Sequence, residues 1–362
     1  MVSNVNSIRV ALIGYGFVGK TYHAPLIQSV PGLELTVVSS SRPDEVRKDF
    51  PLVHVVAKPE DIFTRTDVDL VVIASPNDSH VPLATAALNT DKHVVVDKPF
   101  TITLAEARDL VELSRTKRKL LSVFQNRRWD SDFLAVKTLV AEGRLGEILH
   151  FESHYDRFRP EVKNRWRERA GSGAGLWYDL GPHLVDQALD LFGLPQKISA
   201  SLAIQRPNAQ IDDWAHVLLD YGRLRVILNC SMLVAGGIPR MAVHGTQGSW
   251  LKYGFDIQES QLLRGMHPGD PNWGKDPLPG LFYDGLGGPA QELPVPRSDQ
   301  SQYYRDIRDA LLEGKANPVT PIQAIAVMAV LETTIQSAAI GQVLPLPLTE
   351  QERAAYDSRE LR

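Results

Sequence analysis

Short apolar runs alternate with segments of helical period over the first third of the chain. Ile8 to Ile13, Leu33 to Val38, Val53 to Ala57, Asp69 to Ala74, Val94 to Val96 and Leu120 to Phe124 are such runs, rich in β-branched residues. That is the pattern of strands buried on both faces of a parallel sheet. Helix-compatible segments separate them: Pro59 to Phe63, a stretch capped by Asp78 and running to about Leu88, and Ala105 to Lys117. A strand-helix-strand succession of this kind predicts a doubly wound Rossmann sheet with right-handed crossovers over residues 1–125. Beyond Gln125 the pattern changes. A helix over Ser131 to Glu142, closed by Gly143, precedes Ile148 to Phe158, where polar and apolar residues alternate as in a half-exposed strand. Further strands are predicted over Lys197 to Ile204, Trp214 to Asp220, Leu224 to Cys230 and Arg240 to His244. Gly265 to Pro296, rich in glycine and proline, reads as an irregular surface excursion. Helices over Ser301 to Glu313 and Pro321 to Ile340 follow. The expected fold is therefore α/β, with a second α+β domain over 126–362 that carries a largely antiparallel open sheet for substrate binding and oligomerisation.

Composition narrows the class without naming it. A chain of 362 residues is long enough for two domains with full cores. The formal charge of −4 offers no basic surplus for nucleic acid. No run approaches the roughly 18 apolar residues of a membrane span, and Met1 to Ser7 lacks the basic and apolar regions of a secretory signal. The lone cysteine, Cys230, excludes an internal disulfide and reads as a buried small hydrophobe between Leu228 and Met232. A soluble cytoplasmic protein is expected, working as a homo-oligomer, a dimer, with no membrane partner.

Candidate chemistry appears at four places. Gly14-Tyr15-Gly16-Phe17-Val18-Gly19 is G-x-G-x-x-G between a strand and a helix. There Gly14 permits a tight turn, Gly16 the approach of a pyrophosphate, and Gly19 close helix-on-strand packing. A glycine turn holding no ligand is the plainer alternative. The second strand ends in Ser39-Ser40-Ser41-Arg42, with no acid before Asp44. An NAD site usually places an acid here on the ribose hydroxyls, whereas hydroxyls and a guanidinium suit a 2′-phosphate. NADP is thus the expected cofactor, with NAD as the alternative and Arg42 as a solvated loop residue the plainer reading. The fifth strand stops abruptly at Asp97-Lys98-Pro99. Ligands sit at the carboxyl ends of such strands, so Lys98 is aimed into a site unless it is an ordinary solvated lysine.

The fourth place is Gly171-Ser172-Gly173-Ala174-Gly175 followed by Asp179, His183, Asp186 and Asp190, spaced four, three and four apart on one helical face. Pro182 predicts that this helix begins near Asp179, which leaves Asp179 an N-cap alternative and His183 that of a partly buried histidine. With no third ligand evident, no metal is expected. Oxidation of a secondary alcohol needs a hydride acceptor, a base and a group that stabilises the alkoxide. His183 suits the base, Lys98 the alkoxide, and Asp179 the orientation of substrate or imidazole. These come from two domains, so the expected site lies at their junction.

The glycine turn, Ser75-Pro76-Asn77-x-x-His80, Asp97-Lys98-Pro99 and Asp179-x-x-x-His183 together resemble the glucose-fructose oxidoreductase / inositol dehydrogenase / rhizopine-catabolism (Gfo/Idh/MocA) family, from about Ile8 to Ile340. Phe124-x-Asn126-Arg127-Arg128-Trp129-Asp130, Tyr155-x-Arg157-Phe158-Arg159-Pro160-Glu161, Trp166-Arg167 and Trp177-Tyr178-Asp179-Leu180-Gly181 look most like its NADP-dependent scyllo-inositol dehydrogenases. The resemblance implies a catalytic lysine at Lys98 and histidine at His183, with the acid Asp179 holding substrate. It also implies cofactor contacts from Pro76, Asn77, His80, Trp166 and Arg167. Two departures stand out: Asp97 where glutamate is common, and Ser40 where NAD-dependent members often carry an acid. A small polyol or sugar is the implied substrate. A cofactor-sensing regulator without turnover, and a reductase of an imine or enone, are the alternatives.

Overall fold

The computed structural model describes residues 7–358, so Met1 to Asn6, the stretch without a secretory pattern, lie outside the described residues. The chain divides into two compact units. The first holds the chain up to Trp129, with Ile257–Gly274 and Asp299–Ala324. Its elements run β1 (Ile8–Ile13), a single π-turn (Gly19–His23) leading into α1 (Ala24–Gln28), β2 (Leu33–Ser39), α2 (Pro43–Asp49), β3 (His54–Val56) and α3 (Glu60–Phe63). Then come β4 (Leu70–Ile73), a 3-10 turn (Asn77–Ser79), α4 (His80–Asn89), β5 (His93–Val96), α5 (Leu104–Lys117) and β6 (Leu121–Val123). The six strands form one all-parallel sheet in the order β3-β2-β1-β4-β5-β6. This is the strand order of a dinucleotide-binding sheet, which reverses direction between β1 and β4. Every residue of β4 is buried, as the unbroken apolar run requires of a central parallel strand. A capping box of Thr103 and Glu106 starts α5, satisfying two amides that the helix would leave open.

The second unit comprises Asp130–Asp256, Lys275–Ser298 and the chain from Ile325 on. It opens with α6 (Ser131–Ala141), β7 (Ile148–Asp156), α7 (Leu176–Phe192), β8 (Lys197–Ala203), β9 (Trp214–Tyr221), β10 (Leu224–Ser231), β11 (Met241–Gly245) and β12 (Gly248–Lys252). The chain then adds α8 (Gln258–Leu263) to the first unit, β13 (Gly280–Tyr283) and β14 (Gln291–Leu293) to the second, and α9 (Ser301–Glu313) to the first. Last come α10 (Pro321–Ile340), β15 (Leu344–Pro345) and α11 (Glu350–Asp357). Nine strands make a second sheet in the order β14-β13-β12-β11-β7-β10-β9-β8-β15. The architecture is thus α/β, a Rossmann sheet plus an α+β unit with a largely antiparallel sheet.

Several expectations need correction. Ile148 to Phe158 reads as an antiparallel strand, but β7 pairs antiparallel only with β11 and runs parallel to β10. Gly265 to Pro296 is not irregular throughout. It carries β13 and β14, which extend the second sheet past β12, and it buries Trp273. Asp78 does not cap α4; it sits inside the 3-10 turn, and Ser79 takes the N-cap position while its hydroxyl donates to the Pro76 carbonyl. No run reaches 18 apolar residues, but α10, with its apolar stretch from Ala324 to Leu331 bounded by Gln323 and Glu332, is long and apolar enough to cross a membrane by length and mean hydropathy. Two-thirds of its apolar window (67%) is buried inside the protein, the state of a core helix.

α7 corrects the reading most. It begins at Leu176 rather than near Asp179, so Pro182 lies inside the helix instead of in its first turn. Proline there removes an N–H to the carbonyl four residues back and ordinarily costs about 3 kcal/mol. Burial offsets that cost: Leu176, Trp177, Leu180, Leu184, Val185, Ala188 and Leu189 are all buried. The Trp177 indole lies over Gly181, where a Cβ would stand 2.8 Å from the ring, and its Nε1 donates to the Leu331 carbonyl of α10 at 3.2 Å.

One face of β7 carries a charged ladder. His154 lies 2.9 Å from Glu152 and 3.3 Å from Asp156, and His150 lies 2.7 Å from Glu152. Burial works to lower the His154 pKa, but Asp156 and Glu152 outweigh it and hold it above the ordinary value. Glu152, bonded to His154, is held down at about 2. A histidine whose native pKa is raised contributes stability in full below its unfolded value, and loses it as pH rises through the native value. Glu152 contributes above the ordinary glutamate range and loses it as pH falls toward 2. The ladder therefore stabilises most between about pH 4.5 and 6.5. Thermal midpoints should fall as pH rises above about 6.5 from this source. His154→Gln should remove that component, and an unchanged pH slope in the variant would disprove it.

Candidate active site

In the first unit the predicted cofactor residues gather at the carboxyl ends of β1, β2, β4 and β5. Gly14 turns with φ +97°, and a Cβ on it would stand 2.6 Å from the Ala74 carbonyl oxygen. At Gly19 a Cβ would lie 2.0 Å from the Gly14 oxygen, so both positions accept only glycine. Gly16 differs: nothing lies within 4 Å of where its Cβ would be. The open space faces a helix start, because Lys20 N donates to the Gly16 carbonyl at 2.9 Å. Amides at such a start are free to meet a pyrophosphate, so the residues present fit the dinucleotide. Val18 precedes the π-turn, and Phe17 stands exposed with its ring edge-on to Tyr22. Tyr15 is buried. Its hydroxyl donates to Asp49 at 2.8 Å, and burial followed by that acid drives the phenol's pKa well up.

The turn after β2 lies against the same loop. Ser40 is buried and its hydroxyl accepts from Arg42 N at 3.0 Å, while Ser41 is exposed. The Arg42 guanidinium donates to the Tyr15 carbonyl at 2.7 Å and to Glu45 at 3.3 Å. Half of the Arg42 side chain remains exposed (51%), which leaves room for an anion.

After β4, Ser75 and Ser79 share a hydrogen bond of 2.6 Å, and Asn77 is buried in the turn that begins after Pro76. His80 is fully buried. Its ring nitrogens lie 2.9 Å from the Pro99 carbonyl and 3.0 Å from that of Ser75, tying the loops after β4 and β5 together. Burial lowers its pKa against Asp97 and those carbonyls. After β5 comes buried Asp97, then a cis peptide between Lys98 and Pro99. Burial pushes the Asp97 carboxyl up, but His23, 3.8 Å away, and then Lys98 outweigh it and hold it below the usual range. His23 in turn shares a short hydrogen bond with Tyr304 of α9. Neither His23 nor Tyr304 was expected; only the folded chain brings residues this far apart together.

In the second unit, α7 sets Asp179 and His183 four residues apart, one turn along the same face. Asp179 is half-buried and is not the N-cap, a position held by Gly175. Arg167, on a 3-10 turn (Trp166–Glu168), brings its Nε within 3.5 Å of Asp179. The Trp166 side chain lies outside the described residues. His183 is buried, its ring 6.1 Å from that of Tyr155. Tyr155 stacks on Phe255 at 5.3 Å, and the Arg240 guanidinium lies over the Tyr155 ring, 4.2 Å from its centre. Among the described residues, no group of three or more histidines, cysteines or acids is set to hold a metal ion.

Comparison with known proteins gives this geometry a family. Residues 8–125 match the NAD-binding Rossmann fold of the oxidoreductase family GFO_IDH_MocA, and residues 137–348 match its C-terminal alpha/beta domain. An uncharacterised oxidoreductase of Escherichia coli, YdgJ, is 52% identical over 92% of this chain and 97% of its own. The scyllo-inositol 2-dehydrogenase (NADP(+)) IolW of Bacillus subtilis is 38% identical over 92% of this chain and 94% of its own. The crystal structure of an oxidoreductase from Klebsiella pneumoniae superposes with a TM-score of 0.92 at 54% identity, covering 98% of this chain and 99% of that one. With both domains matched in order, the chain belongs to the Gfo/Idh/MocA family of oxidoreductases, and its first domain is an NAD(P)-binding Rossmann fold.

Proposed function

We propose that the protein is an NADP-dependent dehydrogenase that moves a hydride between nicotinamide and a secondary alcohol of a cyclic polyol or sugar, scyllo-inositol among the candidates. Residues 1–125 bind the cofactor, and 126–362 bind substrate and another copy of the chain in a cytoplasmic dimer. The observation that carries the reading is a histidine and a carboxylate one turn apart on α7, in a chain whose other unit carries a lysine, Lys98, two residues past the end of β5. His183 accepts the hydroxyl proton, Lys98 stabilises the alkoxide, and Asp179 orients the polyol. Nicotinamide, when bound, supplies the hydride acceptor. A relative named as an NADP(+) scyllo-inositol 2-dehydrogenase at 38% identity supports the substrate class. A panel of inositols and aldoses, assayed for NADPH formation, tests it. Tight NADP binding with no turnover across that panel would favour a cofactor sensor, and NADPH oxidation by imines or enones alone would favour a reductase.

Cofactor choice makes a separate prediction. A guanidinium on a 2′-phosphate is worth about 1.5–3 kcal/mol, so Arg42→Ala should raise the KM for NADP by roughly 10- to 150-fold. The KM for NAD, which lacks that phosphate, should barely move. Ser40→Asp should shift preference further toward NAD, because a carboxylate attracts ribose hydroxyls and repels phosphate. Comparing kcat/KM for both cofactors decides it: a wild type that already prefers NAD, or a variant weakened equally for both, defeats the NADP assignment.

A further inference from the structure

We propose that Asp212 is a positioning residue: from the loop before β9 it caps α7 and so fixes where Asp179 and His183 stand. The part about α7 rests on the structure; its importance for turnover rests on the function proposed above.

α7 has a polar problem at its start. Its N-cap is Gly175, which has no side chain to receive the first amides. Both are met from elsewhere in the sequence. Leu176 N donates to the Asp212 carbonyl oxygen at 2.9 Å, and Trp177 N donates to Asp212 Oδ2 at 2.7 Å. The carboxylate occupies the very space that a residue at 175 would use, since a Cβ there would lie 2.1 Å from Asp212 Oδ1. Gly175 at φ +95° is thus the residue that lets a distant acid do what an N-cap side chain usually does. An anion at this end also complements the helix dipole.

The cap is itself held in place. Asp213, next along the chain, accepts from Arg206 Nε at 2.9 Å and from the amides of Gln205 and Arg206. Arg206 also lies 3.3 Å from Glu168, on the turn that carries Arg167 to Asp179. Asp179 is therefore fixed by the helix start on one side and by Arg167 on the other. The titratable and charged groups around Asp212 are Asp179 on α7, Arg165, Arg167 and Glu168 on the preceding segment, Arg206 and Asp213 on its own loop, and the Cys230 thiol on β10. Burial pushes the Asp212 carboxyl up to about 6, against the pull of the Trp177 amide. Above that pH the cap is a carboxylate; below it the cap loses its charge while the Asp212 backbone carbonyl still receives Leu176 N.

The test uses the full-length protein with NADP and a polyol that the wild type oxidises. Asp212→Ala should lower kcat about tenfold at pH 8, the scale of a lost cap, with KM little changed. Asp212→Asn retains an acceptor for Trp177 N but not the charge, and should recover only part of that loss. The pH profile separates positioning from mere folding support. Protonation of Asp212 removes the same charge, so the ratio of wild-type to Asp212→Asn kcat should fall toward one as pH drops through about 6. Wild-type kcat in Asp212→Ala, or a ratio that does not change with pH, overturns the proposal. If the wild type oxidises no polyol, the function reading fails first, and near-ultraviolet circular dichroism still reads the cap. The wild type should show a tryptophan transition centred near pH 6 that Asp212→Asn lacks; its absence in the wild type, or its persistence in the variant, overturns the cap.

Discussion

Replacing Lys98 with methionine should lower kcat by at least about a hundredfold, the scale of losing one oriented donor to a developing oxyanion. Methionine keeps the length of the side chain and removes its charge, so packing after β5 should survive. The neighbouring acid shows what the ammonium does in the resting protein. Asp97 is buried, and its carboxyl stays below the usual range because His23 and Lys98 counter its burial. Without Lys98 that carboxyl should titrate higher, while His23 remains beside it. The glycine turn and Arg42 do not depend on Lys98, so the dissociation constant for NADP, read by fluorescence, should change little. Turnover close to normal in the variant would return Lys98 to the status of a solvated lysine at a strand end.

Legibility in the sequence followed how local the determining forces are. β1, β4 and β5 carry the apolar runs Val10 to Ile13, Leu70 to Ile73 and Val94 to Val96 because a central parallel strand is buried on both faces, and that requirement is written along a few consecutive residues. The glycine turn is legible for the same reason: Gly14 and Gly19 are forced by atoms within the same strand-turn-helix unit and the adjoining β4. β12, β13 and β14 escape because they are short, and what makes them strands is pairing with one another and with β11. α7 shows both sides. The four-residue spacing of Asp179 and His183 is visible in the sequence, but the local rule for proline places the helix start three residues too late. Long-range burial of Trp177 and the cap from Asp212, 35 residues further on, override that rule. No periodicity announces such a partner, just as none links His23 to Tyr304 across 281 residues.

The histidine on that helix should carry the larger effect. His183→Ala removes the proposed proton acceptor, and general base catalysis by a placed side chain is worth roughly 10²- to 10⁴-fold. The loss should show in kcat, with partial relief at high pH, where hydroxide takes over some of the proton transfer. A structural role makes a different forecast. His183 is buried on α7 with its ring beside that of Tyr155, so truncation leaves a hole and should cost some stability whatever the chemistry. Measuring the thermal midpoint and kcat on the same preparations separates the two contributions. A catalytic histidine gives a variant that is folded at the assay temperature, binds NADP normally and turns over slowly per folded molecule. His183→Gln, which fills more of the space and cannot accept the proton, should regain the thermal midpoint without regaining turnover. If kcat per folded molecule stays near wild type in either variant, His183 is a packing residue and the base must be sought elsewhere.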